Sequence, residues 1–196
     1  MKTLHKKIII LLTFISTANI IAANWVLDNH KSYLNFTSVK NSNIIEVHKF
    51  DKLSGKINED GIADVKINLK SVDTGIEIRD ERLKDYLFDT KKYPDAIFST
   101  HIDMKKILEE LYKNSIYKTT LEGYLNLKGH RIELKIPVDI KYLDNKNVQV
   151  MSASPVTLNI DDFKMGAGLE KLKELANLRS IGFNVPVNFK VVFNKK

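Results

Sequence analysis

Residues 71–99 read SVDTGIEIRDERLKDYLFDTKKYPDAIFS. The stretch joins two alternating runs, 62–70 and 96–102, across a gap too long for a hairpin. Structureless connections beyond about 12–15 residues are uncommon in compact domains and are usually functional. This one contains a helical turn. Arg79, Asp80, Arg82, Lys84 and Asp85 point one way, while Leu83, Tyr86 and Leu87 recur at i, i+3, i+4 on the other side. Pro94 then bars a helix and holds Tyr93 extended.

The runs on either side set the fold class. In 62–70, Ala63, Val65, Ile67 and Leu69 share one face, and Asp64, Lys66, Asn68 and Lys70 the other. Ala96, Phe98, Thr100 and Ile102 repeat the pattern, which is that of a strand with one wet side. Further on, Thr119, Leu121, Gly123, Leu125 and Leu127 share a face of 117–127, and Gly129 marks a turn. In 131–142, Ile132, Leu134, Ile136, Val138, Ile140 and Tyr142 alternate with polar residues. Pro137 in that run needs an edge, a bulge or a position off the ladder. Asp144-Asn145 turns the chain, 147–160 comes back, and 183–193 closes with Phe183, Val185, Val187, Phe189, Val191 and Phe193 on one face. Leu34 and Phe36 begin a similar pattern that weakens from Asn41 to Lys52, and Gly55 and Asp60-Gly61 are turn signals. Two segments change period. Met104, Ile107, Leu108 and Leu111 fit a short amphipathic helix, as do Leu169, Leu172, Leu175 and Ala176. Many strands, one to three short helices and no βαβ rhythm predict an all-β fold, an antiparallel barrel or sandwich.

The central stretch also carries a resemblance. Thr74-Gly75-x-x-x-Arg79-Asp80-x-x-Leu83, Leu87-Phe88-Asp89 and Tyr93-Pro94-x-x-x-Phe98-Ser99 resemble the signature of the YceI-like family. Trp25-Val-Leu-Asp28-x-His30-x-Ser32 is similar to its first strand, so the resemblance covers roughly 24–193. It implies a lipocalin-like barrel of about eight strands, enclosing an apolar tunnel for polyisoprenoid or related lipid tails. The sequence departs from the family pattern at His48 and Lys49, where a glycine is common, in lacking the usual histidine of the preceding strand, and in lacking the arginine before Asp161-Asp162-Phe163.

Length and composition bound the rest. The 196 residues make one domain with a targeting segment. Lys2, Lys6 and Lys7, the apolar run Ile8–Ile15 and Ala22-Ala23 predict a signal peptide over 1–23, cleaved before Asn24, and hence a periplasmic protein. Cleavage after Ala18 fits the small-residue rule better but would leave Ile20 and Ile21 exposed. An uncleaved anchor is disfavoured because Thr13, Ser16, Thr17 and Asn19 interrupt the run. The chain has no cysteine, which excludes disulfides, thiolate metal sites and lipid-modified cysteine. Its net charge of +7 falls to 7 − 3 = +4 without the three leader lysines, with no basic stripe of the kind nucleic acid requires.

No motif for nucleophilic catalysis is present, and no cofactor is implied. His30, His48, His101 and His130 stand singly, without metal-ligand spacing, so no metal is expected. Asp161 and Asp162, read in a strand, would point to opposite faces and make no catalytic pair. Arg79 and Asp80 have two readings: head-group or lid contacts at the barrel mouth, or a clamp holding the long connection. The clamp is favoured because a lid needs anchoring whatever the barrel holds. Ala63, Thr100, Thr119, Gly123 and Ser152 are small inward residues that would leave room inside an eight-stranded barrel, which sits at the boundary between filled and hollow. Phe36, Phe98, Leu121, Gly123, Leu125, Ile136 and Val138 are the expected tunnel lining. The favoured function is a periplasmic carrier of a long-chain amphiphile, a quinone or polyprenyl phosphate. The alternative is an enzyme or stress-protective protein acting on a bound lipid. Monomer and homodimer both stay open.

Overall fold

Each alternating segment must keep one face out of water, and the chain satisfies all of these faces at once by rolling the strands into a ring. The structure, a computed structural model, describes residues 25–196. The strands are β1 (Trp25–Leu27), β2 (Tyr33–Lys40), β3 (Ile44–Phe50), β4 (Leu53–Ile57), β5 (Ile62–Asn68), β6 (Val72–Asp73), β7 (Asp95–His101), β8 (Tyr117–Leu127), β9 (His130–Asp144), β10 (Asn147–Ser152), β11 (Val156–Asn159) and β12 (Asn184–Lys195). The pairs β1/β2, β3/β4 and β10/β11 are each one path broken by a bend, so the barrel has eight antiparallel staves. Consecutive staves are neighbours, and β12 closes the ring on β1 (Trp25↔Lys195) and β2 (Val187↔Phe36). Closure removes most of the unpaired edges that an open sheet would expose.

The bends have local causes. Between β1 and β2, the Ser32 hydroxyl donates to the Asp28 carbonyl at 2.6 Å and accepts the Val192 N–H at 3.0 Å, so a side chain stands in for the missing ladder bond. The predicted 147–160 run is interrupted between β10 and β11 at Ala153–Pro155. Pro137 sits at that break, exposed, with its carbonyl accepting the Ala153 N–H at 3.0 Å. Gly55 lies inside β4 rather than in a turn: a Cβ there would come within 2.8 Å of the Asp64 carbonyl oxygen on the neighbouring strand.

Helices close both ends. At the lower end, where β1 starts and β12 finishes, α2 (Met104–Lys113) lies against β8 and β9 and buries Ile107 and Leu111. The Asp103 carboxylate caps it by accepting the Lys106 N–H at 2.9 Å. At the upper end, α1 (Glu77–Arg82, continued as a π-helical turn Leu83–Phe88) packs on α3 (Gly166–Leu175). The wider turn changes which residues face inward. Leu83, Leu87 and Phe88 are buried, whereas Tyr86, expected beside Leu83 and Leu87, is exposed. Asp161 and Asp162 lie in a 3-10 turn, Ile160–Phe163, not in a strand, and both are exposed. The predicted leader, 1–23, lies outside the described residues.

Candidate functional site: a tunnel with one polar end

The inward side chains of all eight staves converge on one cavity of about 240 Å³. It runs from Trp25, Ile57 and Phe193 near the lower end to Phe36, Val185 and Phe88 near the upper end. Thr100 is its only residue with a hydroxyl, and that group is turned to the wall, donating to the Glu122 carbonyl at 2.6 Å. The tunnel therefore offers no hydrogen bond along its length and favours an apolar occupant. Mid-barrel residues such as Leu121, Leu134 and Phe189 point inward but stay only partly buried, because they face the cavity.

The expected lining residues divide. Phe36, Phe98, Leu121, Leu125 and Ile136 line the cavity; Gly123 and Val138 do not. Val138, 1 % exposed, is packed wall. Gly123 makes room for a neighbour rather than for a ligand. A Cβ on it would lie 2.7 Å from Phe98 Cζ and 2.5 Å from the Ser99 carbonyl oxygen, so the Phe98 ring fills the space the glycine leaves. Of the other small inward residues, Ala63 and Thr100 reach the cavity, while Thr119 and Ser152 do not. The Ser152 hydroxyl accepts the Phe189 N–H at 3.3 Å.

The upper end is different. The inward pairs across β2 and β3 run Leu34↔Phe50, Phe36↔His48, Ser38↔Glu46 and Lys40↔Ile44. Within these tiers the inner surface changes from aliphatic and aromatic to polar and charged. Three ring contacts lead up from α1: Phe88 to Phe50 at 5.7 Å, Phe50 to Phe36 at 5.3 Å, and Phe36 to His48 at 5.2 Å between centroids. Above them, Ser38 Oγ lies 3.0 Å from His48 Nε2. The Glu46 carboxylate is held by Lys40 Nζ and by Arg79 Nη1, the latter at 2.6 Å. Asp80 accepts the Thr74 N–H at 2.9 Å and the Thr74 hydroxyl at 2.6 Å, which shapes the Thr74-Gly75 turn. Arg79 and Asp80 thus both anchor the connection, Arg79 to the barrel and Asp80 to its own loop. The β6–β3 pairing and the Lys49–Asp73 ion pair at 3.0 Å add to this.

Electrostatics follow from these contacts. The Lys40 hydrogen bond holds the Glu46 carboxyl below its ordinary range, and burial opposes this. Burial, reinforced by the Arg79 charge, pushes the His48 imidazole down, against the pull of Glu46. His48 is 5 % exposed and its Nδ1 has no hydrogen-bond partner among the described residues. Ser38, Lys40, Glu46 and His48 were missed as site residues in the sequence. The signal available was polar side chains at every second position continuing the face begun by Leu34 and Phe36.

Among the described residues, no three His, Asp or Glu side chains are placed to hold a metal ion, and no helix is long and apolar enough to cross a membrane.

A closed up-and-down antiparallel barrel with an apolar tunnel and helices at both ends defines the lipocalin-like class. Within it the family is settled by the sequence: the YceI-like domain model matches residues 25–193, and the chain belongs to that family. The polyisoprenoid-binding domain from Saccharophagus degradans, implicated in plant cell wall breakdown, is 32% identical, with a TM-score of 0.86 over 89% of this chain and 100% of that one. BcnA from Burkholderia cenocepacia shares the fold at 21% identity and a TM-score of 0.64, over 85% of this chain and 98% of that one. A Campylobacter jejuni YceI protein shares it at 22% and 0.55, over 76% and 84%. No protein with a curated description matches the chain.

Proposed function

We propose that the protein binds a polyisoprenoid-type lipid in its tunnel and carries or sequesters it in the periplasm, without acting on it chemically. The observation that carries this reading is the cavity itself: one enclosed space lined by apolar side chains from every stave. The similarity to the Saccharophagus degradans polyisoprenoid-binding domain supports the choice of tail. The leader-like segment before Asn24 supports export. Burial is worth ~0.8 kcal/mol per CH₂, but realised efficiency for larger ligands falls to about 0.3 kcal/mol per heavy atom. A tail of roughly 40 carbons then has a ceiling near 12 kcal/mol, about nanomolar. Ligand pockets commonly hold about 300–1,000 Å³. At about 240 Å³ the tunnel takes part of such a tail as it stands, and loading the rest requires rings such as Phe36, Phe98 and Phe189 to turn aside.

Mass spectrometry of protein purified from the cell envelope tests the reading. A long-chain lipid bound to a chain starting near Asn24 is the expected result. Leu121→Phe, which adds bulk at an inward position bordering free space, should lower lipid content with the melting temperature kept. A parent protein that carries no lipid and takes up none from micelles would overturn the proposal.

A further inference from the structure

We propose that α2 is a floor that sets how long a tail the tunnel accepts, with Met104 and Ile107 as the residues that meet the tail's end. This rests on the carrier reading and adds length selection to it. Met104, Ile107 and Leu111 recur at i, i+3 and i+7, so they share one face of α2. The first two border the cavity, whereas Leu111 is buried beside it. Trp25, Ile57, Ile102 and Phe193 complete that end, which is apolar and suits the methyl end of a tail.

Width and length answer to different parts of the fold. Rings along the walls can turn aside and widen the tunnel, but they cannot lengthen it. Length is fixed by what closes each end. On β12 the lining runs from Val185 to Phe193, about 26 Å of strand at ~3.3 Å per residue. A stave tilt of about 40° leaves roughly 20 Å along the barrel axis. An extended isoprene unit spans roughly 5 Å, from four chain bonds of about 1.5 Å, so a straight tail meets α2 after about four units, near C20.

The two ends are also held differently. At the upper end α1 is tied down by the Arg79–Glu46 and Asp80–Thr74 bonds. Among the described residues, the polar bonds of α2 all close within the helix and its caps: the Lys106 N–H on Asp103, and Lys113 and Asn114 on Glu110. Apolar side chains alone seat it on β8 and β9. The height of the floor is therefore set by side-chain bulk, and trimming that bulk moves it.

The test is competition of all-trans prenols, from C10 to C40, against a fluorescent apolar probe on lipid-stripped protein. Each added isoprene unit should tighten binding about tenfold until the tail reaches α2, near C20, and by less than about twofold beyond it. Trp25, the sole tryptophan, lies at that end, so its emission should change with the C20 and longer prenols. Met104→Ala combined with Ile107→Ala removes about six heavy atoms and should move the break about one unit longer. Leu111→Ala loosens the same helix without bordering the cavity, so it should lower the melting temperature and leave the break in place. Should the double variant not fold, Met104→Phe raises the floor from a half-buried position and should move the break shorter. Affinity that climbs evenly to C40 overturns the inference and leaves the carrier reading standing. So does a break that the Met104 variants leave where it was, a break shifted by Leu111→Ala, or Trp25 emission blind to every prenol. Failure of every prenol to displace the probe removes the carrier reading, and the inference with it.

Discussion

The wall formed by β8 and β9 and the wall formed by upper β2 and β3 have opposite polarity. On the first, Leu121, Leu125 and Ile136 face the tunnel, while Glu122 meets Lys135 at 2.8 Å and the Arg131 guanidinium lies 3.9 Å from the Tyr124 ring centroid on the outside. On the second, Ser38, Glu46 and His48 face inward, while Ile45 and Val47 stand outside at 67% and 65% exposure. The first arrangement is what any half-wet strand adopts to fold, and it says nothing about use. The second works against burial on both faces. What holds the polar residues inward at that end is the ion pairing of Glu46 with Lys40 and Arg79, which also ties the long connection to the barrel.

The sharpest way to break the contrast is to write the second pattern into the first wall. Ile136→Glu places a carboxylate among apolar side chains with no cation in reach, and should cost about 3–5 kcal/mol. Ser38→Leu on the other wall, losing one hydrogen bond to His48, should stay within about 1.5 kcal/mol. Chemical denaturation reads both, and equal costs would mean that the walls do not differ. Gly123→Ala comes next. Its methyl meets the Ser99 carbonyl oxygen and the Phe98 ring, so stability should fall by about 1–3 kcal/mol. An unchanged melting temperature would show that Gly123 borders open tunnel after all.

The smallest effect concerns His48. Burial holds its folded pKa below the ordinary imidazole value of 6.5, so the folded protein binds fewer protons than the unfolded chain as pH falls through that value. The stability it contributes is present above the unfolded pKa and is lost as pH drops toward the folded one. Melting temperature should therefore decline between about pH 7 and pH 5, ahead of ordinary carboxylate titration near 4. His48→Gln should flatten that slope, and an identical slope in the variant would remove His48 as its source.

How much of this was legible in the sequence varied with the period. Where alternation was strict, as in β8, the strand was read to its ends, since a one-residue slip would turn every inward leucine out. The helix in the long connection was legible as a helical turn, but its inward set was not. Spacing rules assume 3.6 residues per turn, and the π-helical turn replaces Tyr86 by Phe88. Small residues were a poor guide to empty space, because emptiness depends on what the neighbouring strand projects. Gly123 is filled by Phe98, and Ser152 by its own hydrogen bond to β12. The polar end was hidden for a related reason. Lys40 and Glu46 look like ordinary surface charge until register shows that Ser38 and Glu46 share an inner tier with Phe36 and His48 one step below.

The pairing of Trp25 with Lys195 brings the first and last strands of the barrel together at one corner. That corner lies at the opposite end from Lys40, Glu46 and Arg79. A partner domain or a tether joined beside Trp25 or Lys195 would leave from the barrel's foot, away from the Lys40–Glu46–Arg79 cluster. The adjacency also makes the domain a natural insert. Joining Trp25 to Lys195 by a short loop and reopening the chain at the exposed Ser42-Asn43 tip would preserve every stave, which suits the barrel to be spliced into longer chains as a self-contained unit.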